Sequence, residues 1–239
     1  MAVELTEAHV AQAIDHAILK PNFTRAEVDR ELDIAAEWGV FSVCVRPSDI
    51  PYAVKRLDGT GVAVGTVIGF PHGTTSSAAK VAELRQAKAD GAIEFDMVIH
   101  IGGLLSREDE RVVDDIRAVV EAADGSVSKV ILETSFLDDE QIARGSRLTE
   151  QGGATFVKTS TGFAGGGATI EHVSLMRASV SPAVQVKASG GVRGLEAAEA
   201  MLAAGATRLG TSASATILGE LRARTSGLTA TLSEDSSSY

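Results

Sequence analysis

Three ionisable residues lie inside apolar, β-branched runs. They are Lys158 in Phe156-Val157-Lys158-Thr159-Ser160, Lys187 in Val184-Gln185-Val186-Lys187-Ala188, and Asp96 in Glu94-Phe95-Asp96-Met97-Val98. A single strand lysine commonly marks an exposed edge, where its charge blocks unwanted pairing. On neighbouring strands of a closed sheet there is no edge to protect, so two such lysines must share the interior. Two ammonium groups ~4 Å apart at an effective dielectric of ~20 repel by about 4 kcal/mol. Such a repulsion is enough to bring a lysine from ~10.4 towards neutrality. A free amine attacks a carbonyl to form a Schiff base, so the pair points to carbonyl chemistry through an iminium. Asp96 is placed to accept and return protons during carbinolamine dehydration and carbon–carbon cleavage, or else to act as a structural counter-ion.

Glycine-rich segments form a second constellation: Gly162, then Ser189-Gly190-Gly191, then Gly210-Thr211-Ser212. Glycine allows backbone N–H groups to approach an anion closely, and a following helix N-terminus adds its dipole. Arg193 and Arg208 either assist an anion there or belong to solvated faces. By themselves the glycines would also fit a catalytically silent phosphosugar-binding barrel. The lysine pair with Asp96 argues against that reading, because binding alone gives no reason to bury like charges.

The elements that must position these residues alternate regularly. Strand candidates begin near Ile14, Phe41, Val62, Ile93, Lys129, Ala154, Val184 and Thr207. Helix-period segments lie at 24–38, 74–90, 106–123, 138–150, 170–179 and 194–204, with start signals at Thr24, at Thr74 or Thr75, and at Ser106. Gly39, Gly91, Gly153 and Gly205 each end a helix before a strand, at separations of 52, 62 and 52 residues. Eight βα units predict a single-domain α/β fold, a (β/α)8 TIM barrel. An open doubly wound sheet is the alternative, but no Gly-x-Gly-x-x-Gly turn follows the first strand. Such barrels carry their chemistry at the C-terminal strand ends, and anions settle after strands seven and eight. The expected organisation is a barrel with a short N-terminal helix over 1–225 and a flexible tail over 226–239.

Composition narrows the function classes. The 239 residues include 22 Lys+Arg against 32 Asp+Glu, a formal net charge of −10, which disfavours nucleic acid as a partner. The single cysteine, Cys44, excludes an internal disulfide and reads as a small buried hydrophobe in a reducing compartment. No run is long enough to span a membrane and the first residues lack a signal pattern, so a cytoplasmic location is expected. The five histidines, His9, His16, His72, His100 and His172, lack metal-ligand spacing; no metal and no cofactor is expected. His16, His72 and His100 fall near strand ends, as pocket lining or as structural residues.

The motifs resemble those of the bacterial-type deoxyribose-phosphate aldolases. They are Ile14-Asp15-His16 through Leu19-Lys20-Pro21, Ser42-Val43-Cys44-Val45, Thr66-Val67-Ile68-Gly69-Phe70-Pro71, Asp96-Met97-Val98-Ile99, Val157-Lys158-Thr159-Ser160-Thr161-Gly162-Phe163, and Val186-Lys187-Ala188-Ser189-Gly190-Gly191-Val192-Arg193. They spread over about residues 14–212. The resemblance implies a class I aldolase barrel that cleaves 2-deoxy-D-ribose 5-phosphate to D-glyceraldehyde 3-phosphate and acetaldehyde. It assigns the Schiff base to Lys158, perturbation of that lysine to Lys187, proton relay to Asp96 and a supporting role to Asp15. Thr161, Gly162, Gly190, Gly191, Gly210 and Ser212 are the implied substrate and phosphate contacts. A transaldolase-like or larger-sugar Schiff-base enzyme is the alternative within the chemistry. Small phosphosugars and aldehydes are the expected partners, and a homodimer is an open expectation. Some members also end in Ser-Ser-Tyr, so Tyr239 is expected to pass a proton at the acetaldehyde-derived carbon. This chain departs from the common pattern at Ala17 (often Thr), at Ala213 (often Ser), and at His72 and His100 (often Leu and Asn).

Overall fold

A computed structural model describes residues 5–227. The tail beyond Gly227, Tyr239 included, lies outside the described residues. Eight parallel strands close into a barrel in chain order: β1 Ile14–Ile18, β2 Ser42–Val45, β3 Ala63–Ile68, β4 Glu94–Val98, β5 Val127–Ile131, β6 Phe156–Lys158, β7 Gln185–Ser189 and β8 Arg208–Thr211. The helices are α1 Glu7–Ala11, α2 Arg25–Trp38, α3 Ile50–Arg56, α4 Ser77–Ala89, α5 Ile101–Leu105, α6 Asp109–Ala123, α7 Asp139–Gln151, α8 Ile170–Ser179, α9 Leu195–Ala203 and α10 Ser214–Thr225. The seam is β8 against β1, with Asp15 opposite Gly210.

Local chemistry explains several boundaries. Thr24 and Glu27 form a reciprocal capping box at the start of α2, and Asp138 and Gln141 do the same for α7. The expected starts at Thr74 or Thr75 and at Ser106 are corrected. Ser76 caps α4 by accepting the Ala79 N–H. Ser106 instead closes the short α5, which the sequence pattern did not reveal, and α6 follows after Arg107 takes φ +58°. Gly39, Gly91, Gly153 and Gly205 all adopt positive φ where a helix turns into the sheet.

Strand parity divides the molecule into two interiors. Outward residues such as Val43, Phe95, Met97, Val130, Val157, Val186 and Leu209 are fully buried against the helices and form the apolar core. The inward parity carries Asp15, Ser42, Cys44, Glu94, Asp96, Lys129, Lys158, Lys187 and Arg208, each at most 8% exposed. TIM-barrel interiors are ordinarily filled with branched aliphatics. Here the lower interior is an ion-pair network, and it forms the floor of the site.

Candidate active site

β6 and β7 set Lys158 and Lys187 in register as direct neighbours. Each Nζ lies 2.8 Å from the same Asp96 oxygen, Oδ2. The other oxygen, Oδ1, accepts a hydrogen bond from Lys129 Nζ at 2.8 Å. Lys187 Nζ also lies 2.5 Å from Asp15 Oδ2. Below this, Lys129 donates to Glu94 at 2.7 Å, and Arg208 donates to Asp15 Oδ1 at 2.6 Å. The Arg208 guanidinium stacks 3.7 Å from the Phe41 ring centroid, and the Ser42 hydroxyl donates to Asp15 Oδ1 at 2.7 Å.

These contacts add a shared carboxylate to the expected repulsion between the two lysines. Both Nζ atoms meet that carboxylate, and the proton affinities of the two lysines move apart. Burial is the largest influence on Lys158; with help from the Lys187 charge it outweighs Asp96, and the net shift is downward. Burial also works to lower Lys187, but Asp15 and Asp96 outweigh it and Lys187 is raised. Burial disfavours the ionised forms of Asp96 and Asp15 as well, yet the surrounding cations hold both carboxyls below the usual range. The result is one lysine biased towards free amine beside one held as a fixed cation. Cys44 borders the same chamber with its thiol pushed up to about 11 by burial, so it stays neutral.

Two spaces adjoin the residues of the site. A tight inner chamber is lined by Asp15, Ala17, Cys44, Lys158, Thr161, Lys187, Ser189 and Gly210, with about 10 Å³ free, the scale of one water. An outer cleft of about 740 Å³ is lined by Lys20, Asn22, Gly162, Phe163, Gly165 to Gly167, Gly191 and Arg193. Of the expected anion contacts, Gly162 and Gly191 line the outer cleft, and Thr161 and Gly210 line the inner chamber. Gly190 and Ser212 border neither space. A Cβ on Gly210 would strike Ser189 Oγ and crowd Lys187 Cε, so this glycine makes room for the reactive side chains.

The molecule compares closely with proteins of known type. Residues 9–221 match the DeoC/LacD family of aldolases. The chain belongs to that family. Deoxyribose-phosphate aldolase 2 of Staphylococcus aureus strain MRSA252 is 51% identical over 213 residues, covering 89% of this chain and 97% of the relative. The deoxyribose-phosphate aldolase of Staphylococcus haemolyticus strain JCSC1435 is 51% identical over 208 residues, covering 87% and 94%. The tetrameric deoxyribose phosphate aldolase of Aeropyrum pernix superimposes with a TM-score of 0.84 at 30% identity, covering 92% of this chain and 93% of that one.

For this DeoC/LacD aldolase, reasoning from sequence missed two members of the network, Lys129 and Glu94, and singled out a third, Arg208, with another role. Lys129 is a third strand lysine; its parity relative to the outward Val130 is the signal that marks it as inward. Arg208 is neither a cleft residue nor a solvated one, because Asp15, Glu94 and two aromatic rings enclose it. The histidines near strand ends have other uses. His16 points away from the barrel axis, with Nδ1 2.7 Å from Ser214 Oγ and Nε2 2.9 Å from Glu31. His100 caps α5 by accepting the Gly103 N–H at 2.8 Å, a part that suits the Asn common at this position. No helix of the described residues is long and apolar enough to cross a membrane.

Proposed function

We propose that this aldolase reversibly cleaves 2-deoxy-D-ribose 5-phosphate to D-glyceraldehyde 3-phosphate and acetaldehyde through a Schiff base on Lys158. The observation that carries the reading is the pairing of two buried lysines on one Asp96 oxygen beneath a glycine-lined cationic cleft. The free amine of Lys158 attacks the sugar aldehyde carbon, and loss of water leaves an iminium. A base takes the proton of the C3 hydroxyl, the C2–C3 bond breaks, and its electrons flow into the iminium to give an enamine. Glyceraldehyde phosphate departs. The enamine carbon is then protonated, and water releases acetaldehyde and restores the amine. Asp96 moves protons at the nitrogen and at the carbinolamine oxygen. Lys187, kept cationic, favours the free amine of Lys158, and Asp15 holds Lys187 in place. Gly162, Gly191, Lys20 and Arg193 receive the phosphate, and Thr161 and Gly210 support the substrate from the inner chamber, whereas Gly190 and Ser212, which border neither space, act only through the loops that carry their neighbours.

We place the enzyme in the cytoplasm and propose a homodimer as its smallest symmetric assembly, which light scattering tests. The chemistry is tested by borohydride reduction in the presence of acetaldehyde, followed by peptide mass mapping. A stable two-carbon adduct on Lys158 is the expected result. An adduct on Lys187 alone, or none at all, overturns the assignment.

A further inference from the structure

Glu133 lies just past the end of β5 and is buried, and the charge of Lys158 reaches it. Its backbone sits at φ +58°, a conformation that residues with side chains rarely adopt and that clusters at functional sites. Its carboxylate reaches across to the loop after β6. There Oε2 accepts the Thr161 N–H at 3.2 Å and also the Thr161 hydroxyl. Thr161 Oγ1 in turn accepts the Phe163 N–H at 3.0 Å. A backbone bond from Thr134 N–H to the Thr159 oxygen at 3.1 Å ties the same two loops. The Phe163 ring packs edge to face on Phe70 with centroids 5.3 Å apart. The clamped segment starts one residue after Lys158. Thr161 lines the inner chamber, and Gly162 and Phe163 line the outer cleft.

We infer that Glu133 is a positioning residue that fixes the distance between the Schiff-base lysine and the phosphate end of the cleft, and so selects phosphorylated over unphosphorylated sugars. This rests on the proposed function. A deoxyribose phosphate is held at two points, covalently at C1 and ionically at C5. A short substrate tethered at both ends senses the spacing of its anchors, and a misplacement of ~1 Å can cost on the order of a hundredfold. A sugar without phosphate is held at one end and is indifferent to that spacing. The bonds of the carboxylate to Thr161 are charge-assisted, the stronger class of hydrogen bond, as a spacer that must resist the pull of a bound dianion requires.

The test uses Glu133→Ala and Glu133→Gly in the full chain. Glycine accepts φ +58° without strain, so the second variant keeps the loop backbone accessible if the first misfolds. Steady-state kinetics are measured on 2-deoxyribose 5-phosphate and on 2-deoxyribose. The expected result is a loss of roughly tenfold or more in kcat/KM for the phosphorylated sugar, carried mainly by KM, against less than about threefold for the unphosphorylated one. Equal losses on the two sugars reduce Glu133 to a stability residue and overturn the inference while leaving the proposed function intact. No loss on the phosphorylated sugar overturns it as well. A parent enzyme that forms the Lys158 adduct but cleaves neither sugar overturns both readings.

Discussion

Lys158 and Lys187 are register partners on adjacent strands, yet they differ in proton affinity, one lowered and one raised. The difference arises beneath them. Lys187 has Asp15 at 2.5 Å in addition to its share of Asp96, whereas among these carboxylates Lys158 pairs only with the Asp96 oxygen held in common. Asymmetry in the floor of the barrel makes two like residues unlike.

Lys187→Leu tests that asymmetry. The variant removes a positive neighbour of Lys158 and leaves Asp96 to pair with it alone. Both changes raise the Lys158 pKa, so the acid limb of the pH–rate profile should move alkaline. For every pH unit that the limb moves, the free-amine fraction at neutral pH falls about tenfold. Turnover at pH 7 is expected to fall at least tenfold and to recover partly near pH 9. An unchanged profile would assign Lys187 to structure alone.

Asp96→Asn separates proton transfer from charge balance. After burial, Asp96 is the largest influence on Lys158 and opposes its deprotonation. Losing the carboxylate should therefore shift the acid limb to lower pH. If Asp96 also moves protons, kcat should fall by roughly 10²–10⁴ in spite of the more available amine. A variant faster than the parent at low pH would show that Asp96 is a counter-ion only.

Stability should follow pH through the same groups. Asp15 and Asp96 have depressed folded-state values, so their contribution is complete above the unfolded carboxyl value near 3.9 and is lost as pH falls through the folded ones. Lys129 and Lys187 are raised, so theirs is complete below ~10.4 and is lost as pH rises through the folded values. Lys158 is lowered, so stability grows as pH rises through its folded value towards ~10.4. Thermal melting should hold a broad plateau and fall below about pH 4. Arg208→Met, which leaves Asp15 short of a buried partner, should cost about 3–5 kcal/mol at pH 7 and bring the acid fall to higher pH. Melting curves that superimpose on the parent at every pH would refute this.

Tyr239 yields a prediction from sequence, since it lies outside the described residues. The other tyrosine, Tyr52, sits on α3 and donates to Asp29 at 2.5 Å, so it has a structural partner. Deleting Tyr239, or making Tyr239→Phe, should slow deuterium exchange into acetaldehyde while leaving the Lys158 adduct intact. Exchange at the parent rate in both variants would leave the tyrosine without a part in catalysis.

The fold was legible because period and punctuation agreed. All eight strands begin within two residues of their expected starts, since β-branched runs and helix-ending glycines mark the same boundaries. The short α3 and α5 escaped because helices of seven and five residues carry too few turns for a periodic signal. In the site, Lys158, Lys187 and Asp96 stood out as charges in apolar runs. Lys129 and Arg208 fall at or beside the strand starts expected from sequence, where an exposed end explains a charge equally well, although Lys129 is the middle residue of β5. Once β5 is extended back to Val127, parity against Val130 turns Lys129 inward, and closure of the barrel does the same for Arg208. Glu133 has no sequence signature, because its part depends on a backbone twist and a partner 28 residues away.

The bond from Arg208 to Asp15 spans 193 residues of chain and crosses the seam of the barrel. Asp15 therefore leaves the ribosome long before the last of its counter-ions is made. Until β8 docks, the carboxylates of β1 and β4 must stay hydrated, and water must fill the space that the finished molecule seals. The strand that shuts the cylinder also delivers the last cation of the buried network. Desolvation of the catalytic floor is in this way tied to the docking of β8 against β1.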